Sequence, residues 1–428
     1  MLGYQRIPSM PALTLPTKTD SGEIKSPALG SGDFKRLLIS GAEKAAVMAV
    51  MDKAIERGSA FDRYGGTEVD AYEKEYAAHV GTNFATAVSS GTAAVHTAVA
   101  ALNLEPGTEV ICPPITDPGG IGPVLACLCI PVFADADSES FNSTAESIER
   151  QITDQTGAIL VAHIAGEPCN MDAIMEVAKR HQLPVVEDAA QAHDATWDGR
   201  RLGSIGTLGT FSMMSGKHHT SGGQGGMITT DDEGLYWRAK SFADRGKSYG
   251  RSDVGGHFGL NYRMTELEAA IGRVQLKKLP AIVARRQALA ARLGERLEGS
   301  KLFAIGQIPD KAKSAYWFLR IRVNLDCTAL SKVEIAEQLR DLGLPAAPTY
   351  TSLMIHQPWF AQKQIFGSSD LPWTLPQVKR IPDYTNCCPG AEAAMNNHLM
   401  IALNESVSDD LVERMADALD EVERAAIP

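Results

Sequence analysis

The sequence has no CxxC pair among its seven cysteines. No histidine or acidic cluster has the spacing of metal ligands, so neither a zinc site nor a disulfide framework is expected. Cys127 and Cys129 flank Leu128, and Cys387 and Cys388 are adjacent; all read as reduced thiols of a cytoplasmic protein. Positive charge is scarce: 41 basic residues against 52 acidic ones give a net charge of -11. A nucleic-acid or anionic-membrane partner therefore has no electrostatic support. No apolar run reaches the roughly 18 residues of a membrane span. The first residues lack a basic start followed by an apolar block, so no secretory signal is expected. There is no internal repeat and no low-complexity tract. What is present is a 428-residue chain with 44% hydrophobic and 22% charged residues. That suits roughly two to three globular domains with a large core.

Residues 1–35, rich in Pro, Ser, Thr and Gly, read as an extended arm. A helix is predicted over 42–57, with Ala46, Val47, Val50, Met51 and Ile55 on one face; a second covers 69–79. Strands then alternate with helices. Strands are predicted at 85–88, 109–112, 131–134, 158–163, 184–187, 210–214 and 227–230. Helices are predicted after Ser89, from a Ser143/Glu146 capping box to Ile152, and over 171–181 and 233–243. This rhythm predicts a large α/β domain on a mostly parallel sheet over 36–280. An amphipathic helix over 264–279 is expected to stop at Pro280, and a long helix to resume over 281–297; Pro280 sets the boundary to a smaller α+β domain, 281–428. There, 316–323 reads as a half-buried strand with Arg320 and Arg322 on its outer face. A helix over 332–342, a strand over 345–350 and a last helix over 409–426 complete it.

Three stretches carry chemistry. Ser89-Ser90-Gly91-Thr92-Ala93 joins a strand to a helix. Small residues there let backbone N–H groups meet a phosphate, with the Thr92 hydroxyl as a further donor; a plain capped turn has the same composition. Glu187-Asp188-Ala189-Ala190-Gln191 follows an apolar strand. A carboxylate at such a place needs a partner. The N–H of a pyridinium ring is one, and Asp188 would keep that ring protonated, as pyridoxal phosphate chemistry requires; Gln191 would then meet the ring's phenolic oxygen. A helix cap is the simpler role for Asp188. Lys217 lies between two strand-like runs, in a loop with Ser212 before it and glycines at 222, 223, 225 and 226 that would let the backbone bend around a cofactor. Taken alone it reads as an ordinary solvated lysine. Desolvated or beside a cation, it is an amine nucleophile. Trp317, Phe318 and Trp359 read as core or interface, and His163 as a packed core residue.

With those residues in place, the chain resembles the DegT/DnrJ/StrS sugar aminotransferases, which are pyridoxal-phosphate enzymes of fold type I. The resemblance rests on SSGTAA, PVFADAD, HIAGEPCNMD, VVEDAAQAHDA, FSMMSGKHHTSGGQGGMITT, LNYRMTELEAAIGRVQLKKL and CPGAE, and covers roughly residues 36–428. It implies that Lys217 is the Schiff-base lysine, Asp188 the partner of the ring nitrogen and Gln191 the residue near the phenolic oxygen. Thr92, the Ala93 backbone and Ser212 would hold the phosphate. From the N-Y-R motif, Asn261 would reach the phosphate of a neighbouring protomer and Arg263 the substrate carboxylate. A homodimer with shared active sites follows.

Three departures stand out. Where the family places an aromatic that stacks on the cofactor ring, after Pro113-Pro114-Ile115-Thr116, this chain has Asp117; it is read instead as facing the acceptor or a cation. Gln224 replaces the glutamate of a G-E-G-G loop, and that loop is one residue longer. The retained lysine argues against the branch in which histidine takes its place and the reaction is a dehydration, although His218 and His219 are adjacent. The expected activity is transfer of an amino group from glutamate or glutamine to a keto sugar or keto cyclitol. The alternatives are a pyridoxal-phosphate dehydratase on the same scaffold and a non-catalytic, cofactor-binding regulator.

Overall fold

The computed structural model describes Leu29 and residues 34–62, 64–253, 256, 258–351 and 353–427. The arm expected over 1–35 lies outside the described residues except for Leu29, Phe34 and Lys35. Leu29 is buried with the C-terminal core.

Seven strands form the central sheet: β1 Phe84–Val88, β2 Glu109–Cys112, β3 Ile130–Phe133, β4 Thr156–Ala162, β5 Val185–Asp188, β6 Leu208–Ser212 and β7 Gly226–Thr230. Their spatial order is β1-β7-β6-β5-β4-β2-β3. β3, β2, β4, β5 and β6 run parallel, and β7 and β1 close the sheet antiparallel. The strands from β2 to β5 are almost wholly apolar because both faces are covered. The period of two sends alternate residues to opposite sides. Val110, Leu160 and Val186 pack under helices α3 (Gly91–Ala101) and α4 (Pro118–Ala126). Ile111, Ile159, Val161 and Val185 pack under α2 (Gly66–Val80), α6 (Met171–His181) and the first half of α8 (Glu266–Arg296). Asp188, two residues beyond Val186, thus falls on the side of α3 and α4. Those helices begin at the carboxyl ends of the strands, where ligands of open α/β sheets bind.

A four-stranded antiparallel sheet carries the C-terminal core. Its order is Phe303–Ile305, Phe318–Val323, His398–Ala402, Ala346–Ala347. Helices Lys332–Asp341 and Asp409–Ala426 cover it.

Four expectations change. The helix does not stop at Pro280 but runs unbroken over Glu266–Arg296. A proline removes one N–H and crowds one carbonyl. Here the helix is packed on both sides of it, through Leu276, Leu279 and Val283 in one core and Leu289 and Leu293 in the other. The cap before Ala145 is Thr144 with Ser147, while the Ser143 hydroxyl donates to the Ala134 carbonyl. The strand expected over 345–350 shortens to Ala346–Ala347. Arg320 is buried at 1% exposure, not outward, because Glu167 meets it from the large domain.

Helix α1 (Gly41–Arg57) forms as expected and is capped by Ser40 and Glu43, but its apolar stripe is only partly buried. Val50 is buried, whereas Ile55 is 73% exposed and Met51 is also exposed. Contact with α8 goes through Glu43, which accepts from Gln275 and Lys278.

Candidate active site

The lysine loop continues the β6–β7 pair. Met213 donates to the Gly225 carbonyl at 2.7 Å and Ser215 to Gly223 at 3.1 Å, so the two arms stay side by side beyond the strands. Lys217 sits at the far end, and its own N–H donates to Met214. Three of the loop's glycines make room for protein atoms rather than for a ligand: Gly222 abuts Ile271, Gly225 abuts Ser221 and Gly226 abuts the Ser90 backbone. That corrects the reading of these glycines as a bend around a cofactor.

The Lys217 side chain is not solvated; the residue is 7% exposed. Its ammonium lies 3.6 Å from the centre of the Trp317 ring, and the Trp317 Nε1–H donates to the Gly216 carbonyl at 2.9 Å. Burial pulls its pKa down to about 8, although the Asp188 and Asp117 carboxylates oppose the shift. Asp188 ends β5, where its Oδ1 accepts from Ala190 N–H at 3.0 Å. Desolvation raises its pKa, with Lys217 opposing. Glu187 faces the other way and is spent on structure: it accepts from Gly203, Ile205 and Gly206, and lies 3.1 Å from His163 Nε2.

Glycines at the starts of α3 and α4 let polar side chains come close. A Cβ on Gly119 would lie 2.5 Å from Thr92 Oγ1 and 3.0 Å from Asp117 Oδ1; one on Gly120 would lie 3.3 Å from Asp188 Oδ2; one on Gly91 would lie 2.9 Å from Ser212 Oγ. Thr92, Ser212, Asp117 and Asp188 therefore converge on one small volume beside Lys217. Among the described residues the N–H groups of Gly91 and Thr92 have no partner, at the start of a helix where an anion is favoured. The Ala93 N–H, expected to bind phosphate, is taken by Ser90 Oγ at 3.1 Å. Asp117 caps α4 through Gly119 N–H at 2.8 Å. Gln191 accepts from Ala165 N–H at 2.9 Å and donates to the Tyr350 hydroxyl at 2.7 Å. These groups suit a phosphorylated pyridine aldehyde: unpaired helix N–H groups and two hydroxyls for the anion, a carboxylate for a ring N–H, and an amine whose pKa is pulled down to about 8.

Two predicted residues stand elsewhere. The Arg263 Nε–H donates to Asn261 Oδ1 at 2.9 Å, and Arg263 pairs with Asp244 at 3.0 Å. Neither meets Lys217, Asp188 or Asp117 of the same chain among the described residues. Two others were not foreseen. Trp317, read as core or interface, and Tyr350 form an aromatic wall from the C-terminal domain, 5.9 Å apart ring to ring. Burial, followed by the charge of Asp117, holds the Tyr350 phenol well above its ordinary value. No local spacing marks either residue: Trp317 meets the Lys217 ammonium and Tyr350 meets Gln191, each from the second domain. His218 and His219 are wholly buried and bond the carbonyls of Ala315 and Gly272, both at 2.9 Å. Desolvation keeps both uncharged at neutral pH.

Comparison with known proteins bears on the chain as a whole. The model of the DegT/DnrJ/EryC1/StrS aminotransferase family matches residues 43–420. A GDP-perosamine synthase of Caulobacter vibrioides is 34% identical over 301 residues, 69% of this chain and 79% of that protein. The spore coat polysaccharide biosynthesis protein SpsC of Bacillus subtilis is 30% identical over 84% of this chain and 91% of its own. The solved aminotransferase from Psychrobacter cryohalolentis superposes with a TM-score of 0.81 at 30% identity, covering 94% of this chain and 99% of that one.

Proposed function

The chain belongs to the DegT/DnrJ/EryC1/StrS aminotransferase family, and on that premise we propose that it moves an amino group from glutamate or glutamine to a keto sugar, nucleotide-linked, or to a keto cyclitol. The observation that carries this is the enclosed Lys217 amine, set beside Asp188 and Asp117 and against Trp317. The similarity to GDP-perosamine synthases supports a nucleotide-linked acceptor.

Pyridoxal 5′-phosphate is the cofactor in this reading; when bound, it supplies an aldehyde for the lysine and a ring that takes up negative charge. Asp188 would hold the proton of the ring nitrogen. Gln191 would turn from Tyr350 to the phenolic oxygen. The Thr92 and Ser212 hydroxyls and the first N–H groups of α3 would hold the phosphate; Ala93 would have to leave its Ser90 cap to join them. Lys217 Nζ then moves the proton off the donor's α-carbon and delivers one to the acceptor carbon, as a general base and acid. Its depressed pKa suits that task, because a lysine at its ordinary pKa is almost wholly protonated near neutrality and has no lone pair to take a proton. Asp117, close to Lys217 and Tyr350, would face the acceptor.

The active form is proposed to be a homodimer. Asn261 and Arg263 stand away from their own lysine, as groups serving a second copy would. Ile39, Ile55 and Phe258 are 57%, 73% and 78% exposed, apolar side chains of the kind a second copy buries. The cytoplasm is the proposed location, consistent with seven free cysteines. Among the described residues no helix is long and apolar enough to cross a membrane.

The test is the pair of half-reactions. Protein loaded with pyridoxal phosphate should release a 2-oxo acid from glutamate or glutamine, then pass the amine to one member of a panel of nucleotide-linked keto sugars and inososes. Loss of water from the sugar without amine transfer would favour the dehydratase. Bound cofactor with no 2-oxo acid would leave only a regulator. A second measurement reads the lysine itself. Cofactor uptake by the apoprotein needs the neutral amine, so its rate should rise with pH about a midpoint near 8. A midpoint near the ordinary lysine value of 10.5 would show that the enclosure does not act on Lys217.

A further inference from the structure

One charged side chain outside the site grips the backbone of the lysine loop. The Arg36 NH1 donates to the Lys217 carbonyl at 2.5 Å and NH2 to the His218 carbonyl at 2.9 Å. Its Nε donates to Glu405 Oε1 at 2.6 Å. The other oxygen of Glu405 accepts from Arg286, at 2.9 Å from NH2 and 3.1 Å from Nε. Arg286, 2% exposed, also donates to the carbonyls of Tyr316 and Trp317. The Trp317 indole returns to the loop at the Gly216 carbonyl. Three consecutive carbonyls, of residues 216, 217 and 218, are thus held by Trp317 and Arg36, which are joined to each other through Glu405 and Arg286. The segment bearing Arg36 is itself fixed: the Leu37 N–H donates to Ser406 and the Asn404 amide to the Phe34 carbonyl.

We propose that Arg36 is a positioning residue that sets the direction in which the Lys217 side chain leaves its loop, and that it does so only while the 404–406 segment of the C-terminal domain is seated against it. A rigid guanidinium can span two successive carbonyls and a carboxylate at once; a lysine cannot. The role in turnover rests on the aminotransferase reading above, but the effect on the loop does not.

The experiment compares wild type, Arg36→Met and Arg36→Lys. In cofactor-free protein, amide hydrogen exchange of residues 215–221 should quicken by about tenfold or more in both variants. The pH midpoint of pyridoxal phosphate uptake should move up towards the ordinary lysine value as water reaches the amine. Borohydride-trapped label on Lys217 should still form, and the amino-donor half-reaction should slow about 10–100-fold, chiefly in kcat. Wild-type exchange and midpoint in Arg36→Met, or full recovery of both in Arg36→Lys, would overturn the proposal. Should Arg36→Met not fold, Glu405→Gln takes its place: the same shifts are expected, and their absence is equally decisive. A wild-type protein that takes up no cofactor at Lys217 counts against the proposed function, and the exchange result alone then judges Arg36.

Discussion

Lys217→Ala is expected to abolish turnover while leaving a folded protein. The two losses differ in kind. Without the amine there is no covalent attachment, so the borohydride-reducible visible band should vanish and no label should be found in the 213–225 peptide. Without the proton carrier, the donor's α-carbon keeps its hydrogen. A positioned acid–base group contributes roughly 10²–10⁴-fold, and because attachment is lost as well, the deficit in 2-oxo acid release should reach or exceed the upper figure. Stability should not fall in parallel. Lys217 is desolvated, and among the described residues its ammonium is compensated by Trp317 on one face and two carboxylates nearby. A change that removes an enclosed charge should cost no more than about 1 kcal/mol in denaturant unfolding. Linkage gives a further check. The folded pKa of about 8 lies below the ordinary 10.5, so in wild type this group adds stability as pH rises from 8 to 10.5. That increment should be missing in Lys217→Ala. Undiminished transamination in the variant would end the functional reading.

The sequence made the large sheet legible because its strands are buried on both faces. Runs such as Val110-Ile111-Cys112 and Val185-Val186 have no other plausible home, and the period of two then fixes which face Asp188 joins. Lys217 was legible because it interrupts two apolar runs and is followed by a glycine-rich return. The second domain's share of the site was not. Trp317 and Tyr350 stand 33 positions apart, yet the second domain's fold sets them ring to ring, with Trp317 against the Lys217 ammonium and Tyr350 against Gln191. Arg36 is a lone arginine in a polar segment, and nothing local shows that it binds carbonyls 181 and 182 positions away. Pro280 misled for the opposite reason: a local rule that usually ends a helix was outweighed by cores gripping the helix on either side.

Arg320 shows the same limit most sharply, and it supports the largest expected effect on stability. Alternation placed it outward on a half-buried strand, yet the large domain presents Glu167 to it. Its Nε and NH2 donate to Glu167 Oε2 at 2.9 and 2.7 Å, and its NH1 donates to the Glu139 carbonyl at 2.7 Å. NH1 also lies 2.6 Å from His398 Nε2. Desolvation lowers the His398 pKa to about 3, and Arg320 adds to that shift. The imidazole is therefore neutral: Nδ1 donates to the Ala394 carbonyl at 2.9 Å and Nε2 accepts from Arg320. Arg320→Met keeps most of the apolar stem but strands Glu167, which is 3% exposed. Removing one partner of a buried pair costs about 3–5 kcal/mol, so urea unfolding should show a loss of that size at pH 8. Burial already raises the Glu167 pKa in wild type, with Arg320 opposing; without Arg320 the rise must grow. A folded pKa above the unfolded 4.5 means that protonation favours the fold, so the deficit should shrink as pH falls towards 5. Glu167→Gln added to Arg320→Met should recover part of the loss for the same reason. A deficit below about 1 kcal/mol, or one that grows on acidification, would mean that Glu167 finds water or another donor once Arg320 is gone.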